Sequence, residues 1–329
     1  MEFIDLAKGI CILLVILLHC DARFKDITGF NALRMPLYFV LSGLFFKDYG
    51  GFRPTIIKKI NKLIIPFLFF YLSANILIWL NYTLKNTPES GRQYHILDLF
   101  FADQFFNNPI WFLLCLFWDN IIFLGFFKIT KSTIARGVLA LTTGIIGYAM
   151  ATYSLILPLH LTTAMASMPY FFFGYMLKRT PLLYPNAFRK YELPAALLLL
   201  FIGIGLSSIF DQPYYSFYDN TPNGNLLLIY VTAAAMVTGV LLMCKQFGHI
   251  PIVSYIGRYS IIPLGIHAVF IHYVAKFPAT IGMPYPSAVT FAITIALSLA
   301  SIPIMKQYLP YVTAQKDLFS DKQMYAIGR

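Results

Sequence analysis

The sequence contains few charged residues. Only 12% of its 329 residues are Asp, Glu, Lys or Arg, whereas a soluble domain carries about 25%. Hydrophobic residues make up 58% and aromatic residues 17%, and the mean hydropathy is +0.68. This composition excludes a disordered chain and a nucleic-acid-binding protein. It indicates instead a helical bundle whose outer surface faces lipid.

Cysteine is scarce as well, and its spacing excludes a redox pair or a metal site. The four cysteines, Cys11, Cys20, Cys115 and Cys244, form no CxxC pair, and most lie inside apolar runs. We interpret them as core residues and expect no metal and no tightly bound cofactor. The first apolar run lacks a preceding basic stretch and a cleavage site after Leu17, so we predict a transmembrane helix rather than a signal peptide.

Long apolar runs are abundant. Because a helix needs about 20 apolar residues to cross the hydrocarbon core, windows of that size predict about ten transmembrane helices. They lie near residues 3–20, 31–48, 63–84, 109–127, 137–153, 161–177, 193–210, 225–243, 259–277 and 286–305. The longest break, 81–108, contains Pro88 and Gly91 and leaves no room for a soluble domain. We predict an all-α polytopic membrane protein with a transmembrane domain over 1–306, a short cytoplasmic tail over 307–329 and no extracytoplasmic domain.

Lys and Arg are distributed unequally between the two sides of this predicted bundle. Of the 25, 18 fall in one set of alternate loops and in the tail. The opposite side has Arg23, Lys25, Lys85, Arg92 and Lys276. Since cationic short loops stay in the cytoplasm, both termini are predicted to be cytoplasmic, and the net charge of +11 reflects topology rather than an acidic partner. Two cations, Lys8 and Arg34, fall inside predicted spans and need another explanation.

The first predicted span carries three ionisable side chains. A charge at the bilayer centre costs at least about 2.5 kcal/mol, so such groups suggest function. At 100° and 1.5 Å per residue, Lys8 and His19 share one helix face about 16 Å apart, and Asp5 lies one turn from Lys8. An interfacial Asp5–Lys8 ion pair with a snorkelling lysine is the structural alternative. For His19 we favour function, because histidine suits proton transfer near pH 7.

The second predicted span begins with Arg34. The two helices run in opposite directions, so Arg34 is expected at the same outer level as His19. It either snorkels to the lipid headgroups or holds a substrate anion or an oxyanion. Pro36 and the pair Ser42-Gly43 allow a kink and a close helix contact.

Further positions allow both a structural and a functional interpretation. Lys59 and Lys62 are either positive-inside charge in contact with anionic lipid or a phosphate-binding site. Asp119 either orients a histidine or bonds a neighbouring helix. Trp111 fits an aromatic belt, and His267 fits a buried histidine that bonds a backbone carbonyl. We count Asp119, Trp111, His267 and Ser42 as possible supporting residues of a site.

Taken in order, these segments resemble acyltransferase family 3, the bacterial integral-membrane acyltransferases that modify surface glycans. The strongest part runs from Asp5 through Lys8 to His19, which is similar to the family's motif of Arg or Lys, ten residues and His. The other matching segments are Met35 to Gly43, Lys59 to Lys62 before Pro66, Trp111 to Leu113, Pro169 to Tyr175, and Ile256 to Ser260 through His267. Together they cover most of the chain.

The resemblance implies transfer of an acyl group, usually acetyl, from cytoplasmic acyl-CoA to a hydroxyl of a cell-surface or lipid-linked glycan outside the bacterial inner membrane. It gives His19 the position of the family's histidine and Lys8 that of the motif cation, with Asp5 beside it at the donor-binding end. Lysines replace the arginines of the family's RxxR motif, which keeps the charge but loses bidentate phosphate geometry. Many members carry an esterase-like domain; without one, we expect this chain to act alone or with a separate partner.

We hypothesise that Lys59, Lys62 and Lys8 receive the phosphates and the arm of the donor. His19 then acts as general base on the acceptor hydroxyl, or carries the acyl group transiently as an acyl-histidine. Arg34 steadies the acceptor or the oxyanion. No metal is required.

Two other classes of function remain open. A secondary transporter or flippase would use the intramembrane His, Lys and Arg as a relay. It predicts matching broken helices in two halves, and the stripe from Lys8 to His19 has no counterpart in the second half. A polytopic scaffold would use the polar residues only to join helices.

Overall fold

The computed structural model describes residues 2–85, 107–184 and 189–319. Within these ranges the chain is almost entirely helical, which confirms the all-α polytopic prediction. The helices are α1 Glu2–Cys20, α2 Phe30–Leu44, α3 Phe52–Lys59, α4 Ile65–Lys85, α5 Trp111–Ile129, α6 Thr133–Thr152, α7 Leu161–Leu177, α8 Arg189–Ile209, α9 Leu226–Phe247, α10 Pro251–Arg258, α11 Ile261–Val274, α12 Lys276–Thr280 and α13 Pro286–Tyr308. A π-helical turn, Ile60–Ile64, joins α3 to α4. Strands β1 Tyr214–Ser216 and β2 Thr221–Asn223 form a small antiparallel hairpin.

Each of the ten predicted spans coincides with a helix. Among the described residues, 8 helical segments are long and apolar enough to cross a membrane. The two predicted spans not included correspond to α2 and α7, which have 15 and 17 residues. Most of the predicted break at 81–108, with Pro88, Gly91 and Arg92, lies outside the described residues, as do Lys322 and Arg329 of the tail.

The chain divides into two compact units. Unit 1 comprises residues 1–47, 118–156 and 161–260, and unit 2 comprises 48–117, 157–160 and 261–329. The predicted site residues in unit 1 are Asp5, Lys8, His19, Arg34, Ser42 and Asp119. Those in unit 2 are Lys59, Lys62, Trp111 and His267.

Glycine contacts set the helix packing in unit 1. A Cβ on Gly9 would overlap the carbonyl oxygen of Val253, so α1 and α10 touch backbone to backbone. In the same way a Cβ on Gly43 of α2 would overlap the carbonyl oxygen of Phe171 in α7. In lipid, where apolar burial does not drive helices together, such small residues permit the close packing that does.

Helix α6 shows the inside-out pattern of a lipid-facing element. Its exposed side chains include Ile134, Val138, Leu141 and Ile145. Its buried positions are Arg136, Gly137, Ala140, Gly144, Gly147 and Ala151. Large apolar residues at helical spacing therefore face outward, while small residues face the neighbouring helix, the arrangement expected when the solvent is hydrocarbon.

Arg136 is a loop-side cation that proves to be part of the core. Its guanidinium lies 3.7 Å from the centroid of the Phe127 ring and donates hydrogen bonds to the carbonyl of Thr130 and the hydroxyl of Tyr175. The side chain is 4% exposed. It therefore ties the end of α5 to α6 and α7 in addition to carrying a charge.

Unit 2 is built around α11, which packs on α13 and α4. At Gly265 the absence of a side chain lets the Phe70 ring of α4 approach the α11 backbone. Asn107, which is buried, donates a hydrogen bond of 2.6 Å to the Gly265 carbonyl. This contact fixes the start of the segment that leads into α5.

Candidate active site

The ionisable end of α1 does not form the ion pair expected from the sequence. The Asp5 carboxylate instead accepts a hydrogen bond from Arg258 Nε at 3.1 Å. The Lys8 ammonium lies 4.6 Å from the centroid of the Phe45 ring. Within the described ranges Lys8 has no ion-pair partner. The structural alternative of an Asp5–Lys8 pair is therefore replaced by an Asp5–Arg258 pair beside an unpaired lysine.

Backbone packing explains why Arg258 reaches Asp5. Helix α10 begins at Pro251, whose missing N–H is tolerated at a helix start, and ends at Arg258. Its penultimate residue, Gly257, lies directly against the Asp5 carbonyl, where a Cβ would overlap it. Two segments that the sequence presents 253 residues apart thus meet at one place.

His19 lies at the other end of the same helix. Because α1 is unbroken from Glu2 to Cys20, the predicted separation of about 16 Å from Lys8 holds. The His19 side chain is exposed, in the last turn of the helix. Asp21 fixes this end by accepting the backbone N–H of Arg23 and pairing with its guanidinium at 2.6 Å.

Arg34 lies deeper than predicted. Its carbonyl accepts a hydrogen bond from Cys11 Sγ at 2.8 Å, and Cys11 is about 12 Å along α1 from His19. The expectation that both residues occupy one level is therefore wrong for the Arg34 backbone. The side chain points back toward the start of α2, with its guanidinium carbon 5.4 Å from the Phe30 ring centroid. The buried Nε of Arg34 makes no hydrogen bond in the described part of the chain.

Asp119 bonds a neighbouring helix, the second of its two predicted roles. It is 0% exposed and accepts a hydrogen bond of 2.9 Å from Ser167 Oγ in α7. Its other oxygen, Oδ2, is buried without a hydrogen-bond partner among the described residues. Ser42 is partly buried beside Gly43, at the contact between α2 and α7. Both residues thus support the packing of α7.

In unit 2, the C-terminal segment contacts one of the two predicted donor-binding lysines, Lys62, together with the neighbouring Lys58. Lys58 and Lys62 both contact the Asp317 carboxylate, at 2.5 and 3.1 Å. Lys62 also donates to the Ala314 carbonyl at 2.6 Å. Lys59 makes no such contact within the described ranges. The wider π turn at Ile60–Ile64 separates Lys59 from Lys62, so these two lysines do not share a partner.

The contacts of Asn61 reinforce this docking. Its side chain is 1% exposed, donates to the Phe319 carbonyl and accepts the Phe319 backbone N–H, each at 2.8 Å. Residues 309–319 of the predicted tail form turns and bends. Burial raises the pKa of the Asp317 carboxyl, but the hydrogen bonds and charges of Lys58 and Lys62 outweigh it and hold that pKa below its usual value.

Trp111 and His267 serve the interior of unit 2. Trp111 is only 6% exposed, and its ring lies 5.1 Å from that of His160. It is therefore not a lipid-facing belt residue, contrary to expectation. His267 Nδ1 lies 2.7 Å from the Pro263 carbonyl, the contact expected of a packed histidine.

The comparison with known protein families agrees with the segments from which the sequence resembles acyltransferase family 3. A family model described as an acyltransferase domain matches residues 1–305. The chain belongs to acyltransferase family 3. No curated protein and no solved structure matches it. The family and the apolar helices together identify a multi-pass membrane acyltransferase.

Three ionic contacts of this acyltransferase escaped the sequence analysis. Arg258 was expected only to be one of the cations on the cytoplasmic side. It lies within the segment from Ile256 to Ser260 that resembles the family, and this resemblance could have marked it as a site residue. Lys245 forms a buried ion pair with Glu192 at 2.7 Å and was also counted only as a topological charge. The role of Asp317 had no sequence signal, because it depends on how the tail folds back.

Proposed function

We propose that this membrane acyltransferase transfers an acyl group, most simply acetyl, from acyl-CoA on the cytoplasmic side to a sugar hydroxyl on the outer side. The observation that carries the proposal is the single unbroken helix α1, with unpaired Lys8 toward one end and exposed His19 at the other. The transporter alternative loses its support, because the family is one of acyltransferases.

Lys8 serves the donor. Acyl-CoA combines anionic phosphates with a long flexible arm that ends in a thioester. A cation without a carboxylate partner offers three N–H donors to such a ligand. Of the two lysines of unit 2 assigned to the donor, Lys62 is engaged by Asp317, whereas Lys59 has no ion-pair partner among the described residues.

His19 serves the acceptor. As general base it takes the proton of the sugar hydroxyl while the oxygen attacks the thioester carbonyl. The new C–O bond forms, the C–S bond breaks, and the proton passes from His19 to the departing CoA thiolate. In the competing route the imidazole itself attacks, and an acyl-histidine then delivers the group to the hydroxyl.

Arg34 stabilises the negative charge that develops on the carbonyl oxygen, or holds the acceptor. Its guanidinium, of which Nε is buried, has no carboxylate partner among the described residues, which is costly unless a ligand supplies the charge. We also propose that both termini lie in the cytoplasm and that the protein resides in a bacterial inner membrane. The acceptor in this proposal is a surface or lipid-linked glycan.

The test is acyl transfer in proteoliposomes. Purified protein, labelled acetyl-CoA and a membrane glycolipid should give labelled glycolipid. His19→Ala should reduce the rate at least about 10²-fold, the usual contribution of a positioned general base. His249→Ala, which changes an exposed histidine outside the helices, is the matched control and should retain activity. Transfer that survives His19→Ala would refute the catalytic assignment.

Trapping experiments distinguish the two routes. Rapid quenching in denaturant at neutral pH, where an acyl-imidazole is hydrolysed more slowly than in acid, should yield labelled protein only if an acyl-histidine forms. Label on His19 supports the covalent route, and transfer without labelled protein supports the general base. No transfer and no acetyl-CoA binding would overturn the proposed function.

A further inference from the structure

We infer that Arg258 is a positioning residue for Lys8: by holding the Asp5 carboxylate, it keeps the Lys8 ammonium unpaired and available to an anionic group of the donor. The inference rests on the proposed function for the identity of that donor. The positioning itself rests only on contacts within unit 1.

The first step is the competition for Asp5. Asp5 and Lys8 are three residues apart on one helix, a spacing at which opposite charges are neighbours. Near the membrane interface their attraction is stronger than in bulk water. Without another cation, Asp5 would be the natural partner of Lys8 and would neutralise it.

The second step is the geometry of Arg258. Its Nε donates to Asp5 Oδ2 at 3.1 Å, and Asp5 is the only ion-pair partner of Arg258 in the described part of the chain. The contact between Gly257 and the Asp5 backbone fixes the arginine at this position. The Arg258 side chain is 59% exposed, against 20% for Asp5. Arg258 therefore approaches the carboxylate from the solvent side.

The third step is the state of Lys8. Its ammonium lies over the Phe45 ring, a contact worth about 0.5–2 kcal/mol, more as the pair is removed from water. The ring faces one side of the ammonium, which makes no ion pair within the described residues. One carboxylate thus lies near two cations and bonds Arg258, which leaves Lys8 without an ion-pair partner in that part of the chain.

The experiment compares three variants in the acyl transfer assay. Arg258→Ala should raise the KM for acetyl-CoA about tenfold, the loss expected when a charged hydrogen bond to the donor is blocked, with a smaller effect on kcat. Asp5→Asn, which removes the carboxylate and keeps Arg258, is the reference with which the double variant is compared. The double variant Asp5→Asn/Arg258→Ala should recover a KM near wild type, because no carboxylate remains to capture Lys8. Arg189→Ala, which removes an exposed arginine of unit 1, is the control for charge and should change little.

A merely structural arginine predicts a different pattern. If Arg258 only holds α10 on α1, the double variant should be as impaired as Arg258→Ala or more so. That result would overturn the inference. Rescue by the double variant also shows that the single variant was folded.

A second measurement does not depend on the donor. An amine-reactive reagent should label Lys8 in wild type, and peptide mass spectrometry can report the yield relative to exposed Lys131. Arg258→Ala should lower the relative yield, and the double variant should restore it. Equal Lys8 labelling in wild type and Arg258→Ala would overturn the positioning role. If this labelling pattern holds while acetyl-CoA is neither bound nor used, the proposed function fails and the positioning role stands.

Discussion

Two cations lie within the predicted spans, and each has an aromatic ring beside it. In addition, the buried Nε of Arg34 has no hydrogen-bond partner in the described part of the chain. A buried charge without compensation lowers the stability of the fold. Under the proposed function, a ligand or reaction intermediate supplies the missing partner of Arg34.

Substitution of Arg34 separates stability from catalysis. Arg34→Gln should reduce kcat about 10²–10³-fold, the cost of removing one donor to an oxyanion, with little change in the KM for acetyl-CoA. The thermal midpoint should not fall, because the variant removes an uncompensated buried charge. Steady-state kinetics and thermal unfolding in detergent check both. An unchanged kcat would show that the guanidinium has no role in the reaction.

Single residues were predictable from the sequence where their environment was local. Lys8, His19 and Arg34 were identified because an ionisable group in an apolar run is costly wherever that run folds. The partner of Asp5 could not be predicted, because Arg258 is 253 residues away and reaches Asp5 only where Gly257 packs against the Asp5 backbone. The depth of Arg34 was missed for a similar reason: it depends on how far α2 slides along α1.

At the scale of elements, the C-terminal segment is the clearest departure from expectation. Residues 309–319 dock beside the π turn. The Asp317 carboxylate contacts Lys58 and Lys62, and Asn61 of the turn bonds the backbone of Phe319. Hydropathy predicted a tail after the last span, but it did not predict that the tail folds back to Lys58 and Lys62. Its contacts occupy Lys62, one of the three lysines predicted to bind the donor.

The docking should depend on pH in one direction. The folded pKa of Asp317 lies below its ordinary value. The stabilisation that its carboxylate gives to the docked segment is therefore complete above the unfolded pKa of about 3.9 and is lost as the pH falls through the lower folded pKa. Asp317→Asn should mimic that loss at pH 7. Hydrogen exchange of the Phe319 amide, which donates to Asn61, should then be faster.

Asp211→Asn changes an exposed carboxylate elsewhere and is the control for this measurement. It should leave the exchange of the Phe319 amide unchanged. Equal protection in Asp317→Asn and wild type would show that Asn61 alone holds the segment.

At the scale of the whole molecule, hydropathy predicted the helices well because lipid as a solvent imposes length and composition on each span. It predicted α2 and α7 as full spans, yet they have 15 and 17 residues. The window of α2, 31–48, was extended by apolar residues that lie beyond the helix, such as Phe45 and Phe46, whereas the window of α7, 161–177, coincides with its helix. Composition does not distinguish apolar loop residues from the last turn of a helix.

The orientation of the chain can be tested on two exposed positions in opposite predicted loops. Lys131 precedes α6 among the cation-rich loops, and Asp219 lies in the turn between β1 and β2. Since cationic loops are retained in the cytoplasm, a membrane-impermeant maleimide should label Asp219→Cys in intact cells and should label Lys131→Cys only after permeabilisation. The native sequence, with its own four cysteines, gives the background. Labelling of Lys131→Cys in intact cells would show that the predicted orientation is wrong. The cation-rich loops would then lie on the side opposite to a cytoplasmic donor.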